Sequence, residues 1–155
     1  MECYAQFYKY AKILALKWRH TRQMIMDKLI TKGASTSLAE KVVTSLSNNG
    51  ILDDAKVFEL DIFMMEEKRY GYKRVKEYLL KKNFSSELID TYVFNKEIEK
   101  DNCYYHFNKA SRKYKNYKYS DDEREKLRNY LKRCGFNGKI INEVIKVGII
   151  YENVM

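Results

Sequence analysis

Apolar residues recur at spacings of three and four along most of the chain, and each periodic stretch ends at a residue that stops a helix. Phe7, Ala11, Leu14 and Trp18 fall on one face between Tyr4 and Trp18, with Lys9, Lys12 and Lys17 elsewhere on the wheel. That spacing predicts a first amphipathic helix. Thr21 suits the N-cap of a second helix running to Lys32, with Met24, Ile25, Met26 and Leu29 as its apolar content and Gly33 as its stop. Ser35 caps a third helix holding Leu38, Ala39, Val42, Val43 and Leu46, and Asn48-Asn49-Gly50 ends it.

The same plan then returns. Asp53 suits an N-cap, and its charge favours the positive end of a helix. Phe58, Ile62 and Met65 make a stripe, Gly71 breaks the chain, and Val75, Tyr78 and Leu79 mark the next helix. Asn83 stops that helix, and Ser85 caps one carrying Leu88, Ile89, Tyr92 and Val93. A third round starts near Asp101, with Tyr104, Phe107, Ala110 and Tyr114 on one face. Ser120 and Glu123 have capping-box spacing before Leu127, Tyr130 and Leu131. Gly135 ends that helix, and Asn137 caps a last one with Ile140, Ile141, Val144 and Ile145 inside.

Set side by side, the rounds match. Ile25, Val75 and Leu127 are equivalent, as are Leu29, Leu79 and Leu131. The stop holds Gly33, Asn83 and Gly135, residue types that tolerate left-handed backbone, and the cap two places later holds Ser35, Ser85 and Asn137. The expectation is an all-α protein of three tandem three-helix repeats, residues 1–50, 51–100 and 101–155, stacked into an elongated, curved array. Units of about 50 residues are too small to be comfortably stable alone, so neighbours should pack on one another.

Composition sharpens this picture. The 155 residues contain no proline, where average usage gives roughly eight, and that favours helix. The net charge of +9 is carried by the two ends: residues 1–50 and 101–155 each hold +5, and residues 51–100 hold −1. An excess of this sign favours polyanions such as nucleic acid or an acidic protein surface. Cys3, Cys103 and Cys134 have no CxxC spacing and read as reduced thiols of a cytoplasmic protein. The longest uncharged run, Val42 to Leu52, is far shorter than the roughly 18 residues of a membrane helix, and the N-terminus has no apolar signal region.

Catalytic chemistry has no positive support. His20 and His106 lack a helical partner for a metal and read as packed or surface histidines. Asp53-Asp54 reads as a helix start before it reads as a metal-binding pair. No phosphate-binding glycine loop or nucleophile motif is present, so no catalytic residue, metal or cofactor is expected. The basic side chains are the better candidates. Lys28, Lys32, Lys73, Arg74, Lys81 and Lys82 lie on the second helices of the first two units. Arg124, Arg128, Lys132 and Arg133 lie on the equivalent helix of the third, and Arg128 and Lys132 share a face. The alternative for each is a solvated face; their recurrence on the same helix favours a shared binding surface. Lys113, Lys115 and Lys118 alternate with Tyr114, Tyr117 and Tyr119, a pattern that serves base stacking with phosphate neutralisation or, equally, a loop whose tyrosines cover the core. Ser37 to Asn49 has one Lys, and Glu87 to Glu99 has one Lys against four acidic residues, which disfavours a helix-turn-helix reader of the major groove in the second unit.

Several of these motifs together resemble the bacterial regulatory protein family RecX. Arg19-His20-Thr21-Arg22 leads to Lys28-Leu29-Ile30-Thr31-Lys32-Gly33; Gly50-Ile51-Leu52-Asp53-Asp54 follows, with Phe58 at the expected aromatic position. Arg69-Tyr70-Gly71 then precedes Leu79-Leu80-Lys81-Lys82-Asn83-Phe84. The match covers residues 10–95 well and the third unit more weakly. Met24 stands where the family usually has a capping Glu, and Asn83 where it has a glycine. The resemblance implies a non-enzymatic, monomeric modulator of the recombinase RecA, with roles in recombination, DNA repair and the SOS response. Such a protein binds the RecA filament on single-stranded DNA, with double-stranded DNA a further candidate, and inhibits ATP hydrolysis and strand exchange. No membrane is involved. Arg19 and Arg22 join the candidate contact residues. The competing expectation is a stand-alone basic helical module that binds nucleic acid without a recombinase partner.

Overall fold

A computed structural model of the chain describes residues 3–152, and the side chains of residues 3–150. Every regular element among them is a helix: α1 (Tyr4–Trp18), α2 (Arg22–Thr31), α3 (Thr36–Asn48), α4 (Asp54–Glu67), α5 (Tyr72–Lys81), α6 (Ser86–Asp90), α7 (Lys96–Ser111), α8 (Asp121–Arg133) and α9 (Gly138–Glu152). Taken in chain order they make three sets of three, or triplets. By packing, the chain divides into two compact units, Met1–Asp61 with Leu79–Thr91 and Ile62–Tyr78 with Tyr92–Met155.

In the first unit, α1 and α2 pack on α3. Ala11, Ile25, Leu29, Ala39, Val42, Val43 and Leu46 are fully enclosed in its core. In the second, α7, α8 and α9 pack on one another around Cys103, Phe107, Leu127, Leu131, Phe136, Ile141, Val144 and Ile145. The equivalent pairs Ile25/Leu29, Val75/Leu79 and Leu127/Leu131 are all buried. Each such side chain removed from water contributes about 1.5–3 kcal/mol before entropy is counted.

The helix starts are set by short side chains. Thr21, Ser35, Ser85 and Ser120 each accept the backbone N–H three residues on. Asn137 accepts that of Ile140, and Asp53 accepts those of Ala55 and Lys56. At the stops, Gly33, Asn83 and Gly135 have φ of 104°, 56° and 96°, the left-handed backbone that ends a helix.

Five local expectations are corrected. Trp18 is 58% exposed, because the last turn of α1 buries Ala15 instead. Between Phe58 and Met65 the fully buried residue is Asp61, while Ile62 of the expected stripe is only half-buried; the Lys82 ammonium stands 3.3 Å from the Asp61 carboxylate. α6 lasts only five residues: the Thr91 hydroxyl donates to Leu88 O, and Tyr92 and Phe94 leave the helix to stack on Tyr72, with Val93 87% exposed. α7 starts at Lys96 rather than near Asp101, since Asn95 accepts the N–H groups of Glu97 and Ile98. Gly71 is not the left-handed stop; Arg69 is, at φ 55°. Gly71 is instead a point of close approach, where a Cβ would strike the Gly135 backbone.

That approach belongs to a joint built twice. In the first unit the Thr21 hydroxyl donates to Lys82 O at 2.7 Å, and the Lys82 ammonium donates to Arg19 O at 3.2 Å. In the second, the Gly71 N–H donates to Cys134 O at 2.8 Å, and the Arg74 guanidinium donates to Arg133 O at 3.1 Å. Each time, the residue entering a second helix bonds the carbonyl just before the next triplet's stop. Both bonds satisfy carbonyls that a helix end leaves open.

Candidate nucleic-acid interface

The fifteen cations singled out from the sequence fall into different surroundings. Lys28, Lys73, Lys81, Lys115, Lys132 and Arg133 are exposed. Lys32 is exposed, with its ammonium 4.6 Å from the centre of the Tyr10 ring, and Lys113 stands 5.5 Å from that of Tyr114. Arg19 is half-buried at the left-handed end of α1. Lys118 is half-buried, 6.0 Å from the Tyr117 ring. On α8, Arg128 lies one turn before Lys132 and is half-buried with its Nε enclosed.

Four cations are tied into the fold. Arg22 donates through its guanidinium to Ser47 and Thr44, while its N–H donates to Asp54. Arg74 lies 3.8 Å above the Tyr70 ring and bonds Arg133 O. Lys82 is held by Asp61 and Arg19 O. Arg124 donates to Tyr117 O and Lys118 O and pairs with Asp121 at 2.9 Å. It therefore fixes the backbone of the Lys/Tyr stretch from Tyr117 to Lys118. Within that stretch the tyrosines divide: Tyr117 is buried against Phe107, and Tyr119 is 86% exposed. One covers the core and the other offers a ring to the outside.

Charge spacing did not reveal a groove of about 580 Å³ in the second unit. Tyr72, Phe94 and Ile140 form its apolar surface, and Lys73, Lys96, Lys100 and Lys139 stand around it. Only Lys73 belongs to the sequence-derived set. Of the others, Lys96 follows the Asn95 cap and Lys139 stands two places after Asn137, the one signal the sequence offered, while Lys100 lies inside α7. Its acidic residues are Glu97, Glu99 and Glu143. Glu143 pairs with Lys100 at 3.5 Å, and the buried Glu99 accepts the Tyr72 N–H at 3.2 Å. Burial raises the Glu99 pKa, against the lowering effect of that bond. A second cleft, of about 500 Å³, shares Phe94 and Glu99 but adds Glu66, Glu67 and Asp101 against Arg69 alone.

His106 is buried among Tyr70, Tyr105, Tyr130 and Phe136, with Nε2 3.1 Å from Lys68 O. Burial lowers its pKa. Burial pushes the Cys103 thiol up to about 12, so it stays protonated and unreactive. Asp53 caps α4 and Asp54 accepts from Arg22, so both carboxylates act at a helix start. Among the described residues, no group of His, Cys, Asp and Glu could hold a metal ion, and no helix is long and apolar enough to cross a membrane.

No protein-family model matches the chain. Over 118 residues it is 32% identical to the regulatory protein RecX of Clostridium tetani, covering 73% of this chain and 51% of that protein. Two solved structures share its fold. The crystal structure of RecX from Lactobacillus salivarius superposes with a TM-score of 0.72 over 92% of this chain and 94% of that one, at 20% identity. A crystal structure of regulatory protein RecX gives 0.69 over 92% and 73%, at 18% identity. The chain is RecX-like in sequence and in fold. It spans about half the length of the curated RecX it matches. At identities of 18% and 20% the RecX crystal structures speak for the helical fold, and the sequence match carries the link to a regulatory protein.

Proposed function

We propose that this chain is a RecX-type regulator that binds the RecA filament on single-stranded DNA and inhibits its ATP hydrolysis and strand exchange. The observation that carries the reading is the 32% identity to a regulatory RecX over 118 residues. The charge of +9 supports it, since a filament coated on nucleic acid is a polyanion. In this reading the protein acts in the cytoplasm as a monomer, without a reaction of its own. Each helical triplet, residues 1–50, 51–100 and 101–155, serves as one repeat. The exposed cations Lys28, Lys32, Lys73, Lys81, Lys113, Lys115, Lys132 and Arg133 contact phosphates or acidic side chains. Arg22, Arg74, Lys82 and Arg124 hold the surface in place from within.

The test is a titration of this protein into RecA turning over ATP on single-stranded DNA. Hydrolysis should fall at or below one protein per recombinase protomer. Undiminished hydrolysis across that range, with the helical circular dichroism intact, would reject the RecA reading and leave a nucleic-acid-binding module.

A further inference from the structure

We propose that the groove between Tyr72, Phe94 and Ile140 is a single-strand site that takes one nucleotide of a DNA strand, its base against the aromatic rings and its phosphates against Lys73 and Lys139. The proposal rests on the preceding reading only in choosing DNA as the strand. The volume of about 580 Å³ is of the size that encloses a small-molecule ligand. Tyr72 and Phe94 are both half-buried, with centroids 4.6 Å apart and planes tilted by 40°. The Tyr72 ring is braced by Tyr92, nearly parallel to it at 6.4 Å. The Lys76 ammonium also stands over the Tyr72 ring at 6.0 Å, and Tyr72 and Phe94 both line the groove. Held aromatic side chains support stacking at little entropic cost, and every base offers a face to them.

The charge around the groove agrees. Of the four lysines and three glutamates, Lys100 and Glu143 pair with each other and the buried Glu99 accepts the Tyr72 amide, which leaves Lys73, Lys96 and Lys139 beside Glu97. Lys73, Lys96 and Lys139 are exposed. The N–H groups at the start of α5 are occupied: Gly71, Tyr72 and Lys73 donate to Cys134 O, Glu99 and Gly135 O. The attraction for phosphate therefore comes from lysine side chains. The neighbouring cleft has four carboxylates against Arg69 and would repel the same ligand. The two clefts meet at Phe94 and Glu99, so a strand has a favoured and a disfavoured side.

The experiment measures binding of the bare full chain to fluorescein-labelled oligothymidylate of about 16 nucleotides, within the span of known single-strand sites. Its companion probe is an abasic strand of the same length. Wild-type protein should prefer the base-bearing strand by at least about fivefold, the lower bound for one stacked base. Lys73→Ala with Lys139→Ala should weaken binding at least about fivefold. It should also flatten the slope of log K against log salt by about 1.4, two phosphate contacts' worth on a single strand. Tyr72→Leu should abolish the preference for bases, and the lysine variant keeps the test valid if that substitution unfolds the chain. Equal affinity for both strands, or an unchanged salt slope in the lysine variant, overturns the proposal. No recombinase enters the binding measurement, so its failure is separate from failure of the regulatory reading.

Discussion

His106 carries the clearest single-residue consequence. Its ring is enclosed by aromatic side chains, with one nitrogen near Lys68 O and the other 3.4 Å from the Tyr130 hydroxyl. Burial favours the neutral ring, so the folded pKa lies below that of the unfolded chain. As pH falls through the ordinary imidazole range, near 6.5, the unfolded chain gains a proton first and the fold loses stability. The expected outcome is a urea midpoint that drops between pH 7.5 and 5.5. His106→Gln should show a smaller drop over the same interval, because Glu99 and His20, whose pKa values burial also displaces, contribute equally to both proteins. An identical pH dependence in the two would show that His106 does not drive it. The buried Asp61 is a different kind of residue, a carboxylate enclosed in the fold with the Lys82 ammonium 3.3 Å away. From sequence, Asp61 fits a helix with a polar position, and its partner twenty-one residues later could not be read from the spacing.

At the level of helices, what the sequence revealed was local. The bounds of α1, the caps Thr21, Ser35, Ser85, Ser120 and Asn137, and the left-handed stops at Asn83 and Gly135 follow from propensity and cap chemistry within a few residues. What stayed hidden depends on distant partners. α6 ends early because Tyr92 and Phe94 find Tyr72. The Ser120–Glu123 pair forms half of a capping box: the Glu123 N–H reaches Ser120, while its carboxylate accepts the Asn116 N–H at 2.7 Å. Gly71 looks like a stop from sequence and proves to be a contact between the start of α5 and the end of α8. Gly71→Ala should therefore destabilise the protein by about 3 kcal/mol, the upper end for overpacking, because both colliding groups are backbone and neither can swing away. Chemical denaturation measures it; a loss below 1 kcal/mol would mean that the joint relaxes.

Across the whole chain, the net charge of +9 is not one property. Cations inside the fold and cations facing water respond differently to substitution. Lys132→Glu with Arg133→Glu should leave the denaturation midpoint nearly unchanged, as surface substitutions do, while weakening oligonucleotide binding severalfold. Lys82→Met should do the reverse. It strands Asp61 without its ion-pair partner and should cost about 3 kcal/mol, at the low end for buried pairs since the Lys82 side chain retains 17% exposure. Finding the stability loss in the α8 variant instead would reverse the assignment of inner and outer cations. The candidate interface was legible in sequence as a stock of cations, and its division between scaffold and surface was not, because periodicity places a lysine on a face without naming what stands opposite.

The twice-built joint has a bearing on which substitutions a lineage can accept. At Thr21 the seam is written in a hydroxyl, and serine supplies the same donor. At Gly71 it is written in a backbone amide and a missing methyl group. One hinge can drift in spelling and keep its meaning; the other tolerates a single letter.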